Sequence, residues 1–173
     1  MISSAELTQF DQKYKDSANV AATAQDLIAL GWDPKAVQHH KNEDPPYSEI
    51  RNIVLNLDKY SAPNSAEMIS AKEIYMDPDS LKDREQKYQD YKSGKIDKYF
   101  RDTDANPDKI DFEKAPPVTV VQQNNGSLEV ADGMHRVFLA KKNNADLPAW
   151  VVRLKWNSYL KIGEGIWMRR KAP

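Results

Sequence analysis

Apolar residues recur at helical spacing through the first thirty positions. Leu7, Phe10 and Tyr14 follow one another at steps of three and four, and Ala24, Leu27, Ile28 and Leu30 continue the pattern. Ser3 or Ser4 stands where an N-cap belongs, with Glu6 two or three residues on as its capping-box partner. Gly31 has the position of a C-terminal stop. Asp33 and Pro34 open a short second helix, "DPKAVQHH", as cap and first helical residue. "NEDPPYS" reads as a loop. Ile50, Ile53, Val54 and Leu57 then fall at i, i+3, i+4 and i+7, which predicts a helix over "EIRNIVLNLDKY". The Val and Ile in its middle leave a strand open.

The pattern changes after "SAPNSAE", Ser61–Glu67, a small, polar, Pro-containing linker. "MISAKEIYM" is a short strand candidate. A charged helix starts near Ser80, with Leu81, Tyr88 and Tyr91 as its sparse apolar positions, and "RDTDANPDKIDFEKAPP" is a loop. "VTVVQQ" and "SLEVAD" alternate as strands around "NNG", a strong hairpin signal. "MHRVFLAKKNN" is a helix with Met134, Val137 and Phe138 on one face and Ala140 beside it. "LPAWVVRLKW" is a strand entered through Pro148, and a further hairpin strand is expected around Ile166–Arg169. The second half therefore reads β-α-loop-β-β-α-β. The fold class expected is α+β, a small mixed sheet flanked by helices. Residues 1–62 are expected to form a helical N-terminal subdomain packed on it, or an extension of it, and residues 63–173 the main domain.

Composition narrows the chemistry. At 173 residues, 40% hydrophobic and 29% charged, the chain is a soluble globular type able to bury a core. No apolar stretch approaches the roughly 18 residues of a membrane helix, so no membrane partner is expected. The N-terminus has no signal-peptide pattern. The cytoplasm is the default location, with delivery by a route that needs no cleaved signal left open. The absence of cysteine excludes disulfides, thiolate catalysis and Cys-based zinc sites. His39 and His40 are adjacent, so they are not expected to present to one point from one helix face. They read as exposed helix-end residues, and a His-rich metal site is not expected. Charge is uneven: residues 1–80 carry 7 Lys/Arg against 13 Asp/Glu, residues 81–173 carry 18 against 13. The second half is the better suited to an anion.

One stretch carries distinctive chemistry, "ADGMHR". A strand ends at Asp132, Gly133 permits a tight turn, and a helix opens at once. The first-turn amides at Met134, His135 and Arg136 lack intrahelical acceptors. Those amides and the helix dipole favour an anion, and His135 and Arg136 would add charge and a planar fork suited to phosphate. The plainer account of the same residues is an Asp N-cap, a common turn glycine and an Arg paired with a neighbouring carboxylate.

The flanks of that turn resemble the ParB/sulfiredoxin superfamily. The shared pattern is a Pro-led strand at Pro117, the Asn124–Gly126 turn, the Asp132–Arg136 motif, Ala140 in the helix, and Leu147–Pro148–Ala149 before a final strand. It is specific over residues 116–152 and thin from 66 to 115. "EMISAKEIYMDP" looks like the family's opening strand. The resemblance implies a nucleotide-phosphate turn. Sulfiredoxins need a cysteine where this chain has Met134, so their chemistry is excluded. The helix-turn-helix that follows this domain in ParB partition proteins does not fit after residue 155. The Asp-Gly-x-His-Arg form is nearest to ParB-like free serine kinases, DNA-modification proteins, and single-domain plasmid and phage proteins linked to ATPase and DNase activity.

Carried over position by position, the resemblance has Gly133, Met134, His135 and Arg136 lining ATP or CTP phosphates. Asp132 would shape the turn or hold Mg²⁺. Glu73, expected on the first strand, is the candidate general base, with a surface carboxylate as the plainer account. Arg84, Lys141 and Lys142 would extend the positive pocket, or simply line solvated helix faces. Trp150, Trp156, Trp167 and Tyr159 read as core rather than a base-stacking platform, and the basic tail Arg169–Lys171 as a soluble end. Three functions stand open: a phosphohydrolase or phosphotransferase of ATPase or small-molecule kinase type, a Mg-dependent nuclease or toxin effector acting on DNA or RNA, and a non-catalytic module meeting a protein through residues 1–62.

Overall fold

The computed structural model describes residues 2–155, 159–162 and 166–169. It is an α+β fold with a mixed sheet, as the sequence pattern predicts. The chain groups into two compact units. One holds Met1–Ser65, Gln122–Gly126 and Trp150–Pro173, the other Ala66–Val121 and Ser127–Ala149.

The first unit begins with α1 (Ser4–Lys13), whose N-cap is Ser3. The Ser3 hydroxyl accepts from the Glu6 amide at 3.3 Å, and the Glu6 carboxylate accepts from the Ser3 amide at 2.7 Å. The Ser3 amide and then the Ser3 hydroxyl, both donating to the carboxylate, hold the Glu6 carboxyl below its ordinary pKa. The expected single helical run divides here. Asp16 caps a separate α2 (Ser17–Ala29) by accepting from the Ala18 amide, because a short acidic side chain competes for the amides that would continue α1. Gly31, at φ +98°, ends α2. Its amide donates to the Ile28 carbonyl and that of Trp32 to the Leu27 carbonyl, the two bonds of a Schellman motif. Asp33 then caps α3 (Pro34–Lys41).

The helix expected over residues 49–60 is broken. A 3-10 turn (Ser48–Ile50) leads into a single helical turn, α4 (Arg51–Val54), and a second 3-10 turn (Leu57–Lys59) follows. The Asn56 side chain takes the Asn52 carbonyl at 2.9 Å, the acceptor its own amide would use in a helix. Leu55 is left exposed. The core of this unit is Phe10, Tyr14, Leu27, Trp32, Val37, Tyr47, Ile50 and Ile53. Tyr47 donates from its hydroxyl to the Val20 carbonyl at 2.9 Å, and burial pushes its phenol up to about 12. Trp150 is buried in this unit, in line with its reading as core. The side chains of Trp156, Trp167 and Tyr159 and the basic tail at 170–171 lie outside the described residues.

Strand β1 (Tyr60–Ser61) runs antiparallel to β6 (Asp146–Leu154), with Tyr60 opposite Leu154. In the second unit β2 (Glu67–Ser70) also runs antiparallel to β6, with Ile69 opposite Leu147. A 3-10 turn (Ala71–Glu73) separates β2 from β3 (Ile74–Tyr75), so Glu73 is on a turn and not on the expected strand. The Ser70 side chain captures the Lys72 amide and the Ala71 amide turns to the Ala145 carbonyl, which breaks the extended run. Strand β3 pairs in parallel with β5 (Leu128–Asp132), and β4 (Val118–Gln122) lies between β6 and β5. The full order is β1-β6-β4-β5-β3, with β2 also on β6. The expected terminal hairpin is present as β7 (Tyr159–Ile162) and β8 (Ile166–Arg169).

Helix α5 (Pro78–Lys92) starts two residues before Ser80, capped by Asp77, whose carboxylate accepts from both the amide and the hydroxyl of Ser80. Helix α6 (Met134–Lys142) buries Val137, Phe138, Leu139 and Ala140. No helix among the described residues is long and apolar enough to cross a membrane.

Asp33 joins distant parts of the first unit. One carboxylate oxygen caps α3 through the Lys35 amide at 2.9 Å, and the other accepts from the Trp150 indole at 2.9 Å. Asp33→Ala is expected to cost about 2–3 kcal/mol, combining a lost cap with an unsatisfied indole N–H. A urea melt measures it, and a loss below about 0.5 kcal/mol would show that the two bonds carry little of the fold.

Candidate functional site

Gly133 makes the strand-to-helix turn at φ +93°. A Cβ built there would lie 2.4 Å from Val118 Cγ1 and 2.9 Å from Val118 Cβ. Both the backbone conformation and the space require glycine. No side chain caps α6, so Asp132 is not the N-cap that its position before the glycine suggests.

Arg136, one turn into α6, folds back onto the same turn. Its guanidinium donates through Nη1 to the Pro116 carbonyl and stands 4.0 Å from the Asp132 carboxylate. Burial lowers its pKa, and Asp132 opposes that shift. Arg136 and Asp132 thus brace the turn against the segment leading into β4.

His135 belongs to a different group of side chains. Its Nε2 lies 3.0 Å from Lys87 Nζ, and its ring meets Tyr99 edge-on with centroids 5.5 Å apart. An ammonium can only donate, so Nε2 is the bare nitrogen and the proton sits on Nδ1. Burial, then the charges of Lys87 and Arg84, push His135 down to about 4. The imidazole is therefore neutral near pH 7 and adds no charge, contrary to the expectation that it would.

The charge comes from α5. Lys87 lies over the Tyr99 ring, 5.3 Å from its centroid, and its pKa is lowered by burial and by Arg84. Arg84 donates to the Met134 sulfur at 3.2 Å. The Arg84 Nε and the Tyr99 hydroxyl are buried and have no hydrogen-bond partner among the described residues. Tyr99 itself is 1% exposed. Burial raises its phenol pKa and the Arg84 charge opposes that rise. Nearby acids are engaged elsewhere: Glu85 with Lys142 at 3.0 Å, and Asp108 with Lys92 at 2.5 Å and the Tyr88 hydroxyl. Among the described residues no carboxylate pairs with Arg84 or Lys87.

Of the residues predicted from sequence, Gly133, Met134, His135 and Arg84 come together here. Lys142 is occupied by Glu85, and Lys141 is half-buried with a pKa lowered by burial. Glu73 is exposed on the 3-10 turn that packs against α6. Lys87 and Tyr99 were not foreseen. Lys87 is three residues from Arg84 on one helix face, a spacing that any solvated charged helix also shows. Tyr99 sits in an irregular segment with no periodicity to mark it as core. That segment is anchored to α5 through the Asp108 bonds to Lys92 and Tyr88.

The histidines of the first unit also differ from expectation. His40 is fully buried rather than exposed, because the following loop folds back and the Tyr47 amide donates to the His40 carbonyl at 2.7 Å. The His39 and His40 rings lie 5.0 Å apart, and Glu43 joins them: one ligand atom from each of the three lies within 4.8 Å of the others. Among the described residues Asp132 belongs to no such group. No known family, curated protein or solved structure matches the chain.

Gly133→Ala is expected to destabilise by about 3 kcal/mol or more, combining left-handed strain with overpacking against Val118. Gly126→Ala has φ +87° but nothing within 4 Å, so it carries the backbone cost alone, about 1–2 kcal/mol. Equal losses in thermal melts would refute the packing argument. His135 supplies a second test. Its folded pKa lies below the ordinary 6.5, so the unfolded chain binds the proton first. Its contribution to stability is complete above about pH 6.5 and is lost as pH falls toward about 4. His135→Gln is expected to flatten the melting temperature against pH across that window, and an unchanged slope would count against a depressed His135.

Proposed function

We propose that the second unit binds a nucleotide through its phosphates at the opening of α6 and hydrolyses or transfers the terminal phosphate. The observation that carries this reading is the pair of buried groups, Arg84 Nε and the Tyr99 hydroxyl, that find no partner among the described residues, beside two cations that no described carboxylate answers. Buried donors are almost always satisfied in folded proteins. A ligand with several acceptor oxygens and negative charge would satisfy both donors and neutralise both cations. A phosphate has these properties, and the uncapped N-terminus of α6 adds backbone amides.

The residues divide the work. Gly133 makes the left-handed turn that opens α6 against Val118. Arg84 and Lys87 supply charge. His135 offers a neutral Nδ1–H donor whose orientation Lys87 holds. Arg136 and Asp132 position the turn. ATP and CTP are the nucleotide candidates, with Mg²⁺ supplying further charge neutralisation at the phosphates. Asp132 is the carboxylate that would hold the ion, shared with Arg136 and completed by phosphate oxygens, in keeping with the few carboxylates Mg²⁺ uses beside a substrate. Phosphoryl transfer depends chiefly on positioning and charge stabilisation, which this arrangement favours. Glu73, exposed on the turn that packs against α6, is the candidate for the base.

Calorimetry with ATP and CTP in the presence of Mg²⁺ tests the reading. Binding is expected for the wild type, weakened about tenfold or more in Arg84→Ala and Lys87→Ala, the scale of a lost charge-assisted hydrogen bond. No binding of either nucleotide by the wild type would overturn it. Mg²⁺-dependent plasmid nicking without nucleotide binding would instead assign the same cations to a nucleic-acid backbone.

A further inference from the structure

We propose that His39, His40 and Glu43 in the first unit form a site for a divalent first-row transition metal, zinc foremost. The site is separate from the cationic cluster of the second unit and does not depend on the nucleotide reading. Two imidazoles and one carboxylate are a donor set that zinc accepts, with a fourth position left for water or another ligand. Their ligand atoms lie within 4.8 Å of one another. Tetrahedral coordination at about 2.0–2.2 Å places donors roughly 3.4 Å apart, so the His40–Glu43 pair, now at 2.6 Å, would open by about 0.8 Å and the wider pairs, within 4.8 Å, would close by up to about 1.4 Å.

The local backbone explains why adjacent histidines reach one point. His39 and Glu43 are four residues apart across the end of α3, the spacing that stacks side chains on one face. His40 is turned inward, and its Nδ1 already lies 2.6 Å from the Glu43 carboxylate. That carboxylate is itself oriented: its other oxygen accepts from the Glu49 amide at 3.0 Å and the Ser48 hydroxyl at 3.4 Å. Outer hydrogen bonds of this kind fix a ligand's direction and sharpen metal affinity. Trp150 flanks both rings, with centroids 5.8 Å from His39 and 6.4 Å from His40. It places an apolar wall beside the site. Metal binding would replace the proton of the His40–Glu43 bond with the ion and tie the end of α3 to the loop after it.

The full chain, carrying no polyhistidine tag and freed of metal by a chelator, is titrated with Zn²⁺ by calorimetry. One equivalent is expected to bind and to raise the melting temperature. His39→Ala and Glu43→Gln are each expected to weaken binding by about tenfold or more and to abolish the thermal shift, while His135→Gln leaves both intact. Paramagnetic Co²⁺ gives a readout that needs no variant: it should shift the ring signals of His39 and His40 and the Trp150 indole before any others. Absence of Zn²⁺ binding by the wild type overturns the proposal. So does binding that survives in both variants, or Co²⁺ shifts centred on His135.

Discussion

The second unit depends on the absence of one side chain. Val118 approaches Gly133 so closely that no Cβ fits, and the backbone there is left-handed. The end of β5, the start of α6 and the first residue of β4 are therefore locked together. Arg136 reinforces the lock by reaching from α6 to the Pro116 carbonyl and to Asp132. With the turn braced in this way, the first turn of α6 needs no side-chain cap, and it carries Met134 and His135 to Arg84 and Lys87 on α5.

That arrangement concentrates positive charge without a paired carboxylate among the described residues. Burial, and then the neighbouring cations, lower proton affinity here, which is why His135 falls to about 4 and Lys87 is also lowered. Glu85 and Asp108 do not offset this charge, because they are engaged with Lys142 and Lys92. Among the described residues these cations keep no carboxylate partner and the Tyr99 hydroxyl and Arg84 Nε no hydrogen-bond partner, which is the ground on which the proposed phosphate site rests. The first unit follows a different logic. There the polar groups are closed upon one another: Asp33 serves both a helix end and an indole, and Glu43 serves His40, Ser48 and Glu49.

Much of this was legible residue by residue. The Ser3–Glu6 box, the Gly31 stop, the Asp33–Pro34 start, the "NNG" hairpin and the Asp132–Gly133 turn rest on chemistry within four or five positions, and each is found. The misreadings share a cause. Asp16, Asn56 and Ser70 each divert a backbone group through a side-chain bond, and periodicity registers apolar faces, not such competition. They cost the single first helix, the helix through residue 57 and the strand placement of Glu73.

The sequence by itself determined the α+β order of elements, the need for glycine in the Asp132–Arg136 turn, and the absence of thiol chemistry. All of these are local or compositional. Only the tertiary structure decided which side chains meet. It joined Lys87 and Tyr99 to His135 across 48 and 36 positions, turned Arg136 toward the turn instead of outward, and buried His40 beside Glu43. Those outcomes depend on how elements pack and on which charges lose their solvent, and neither is written in the spacing of residues along a single element.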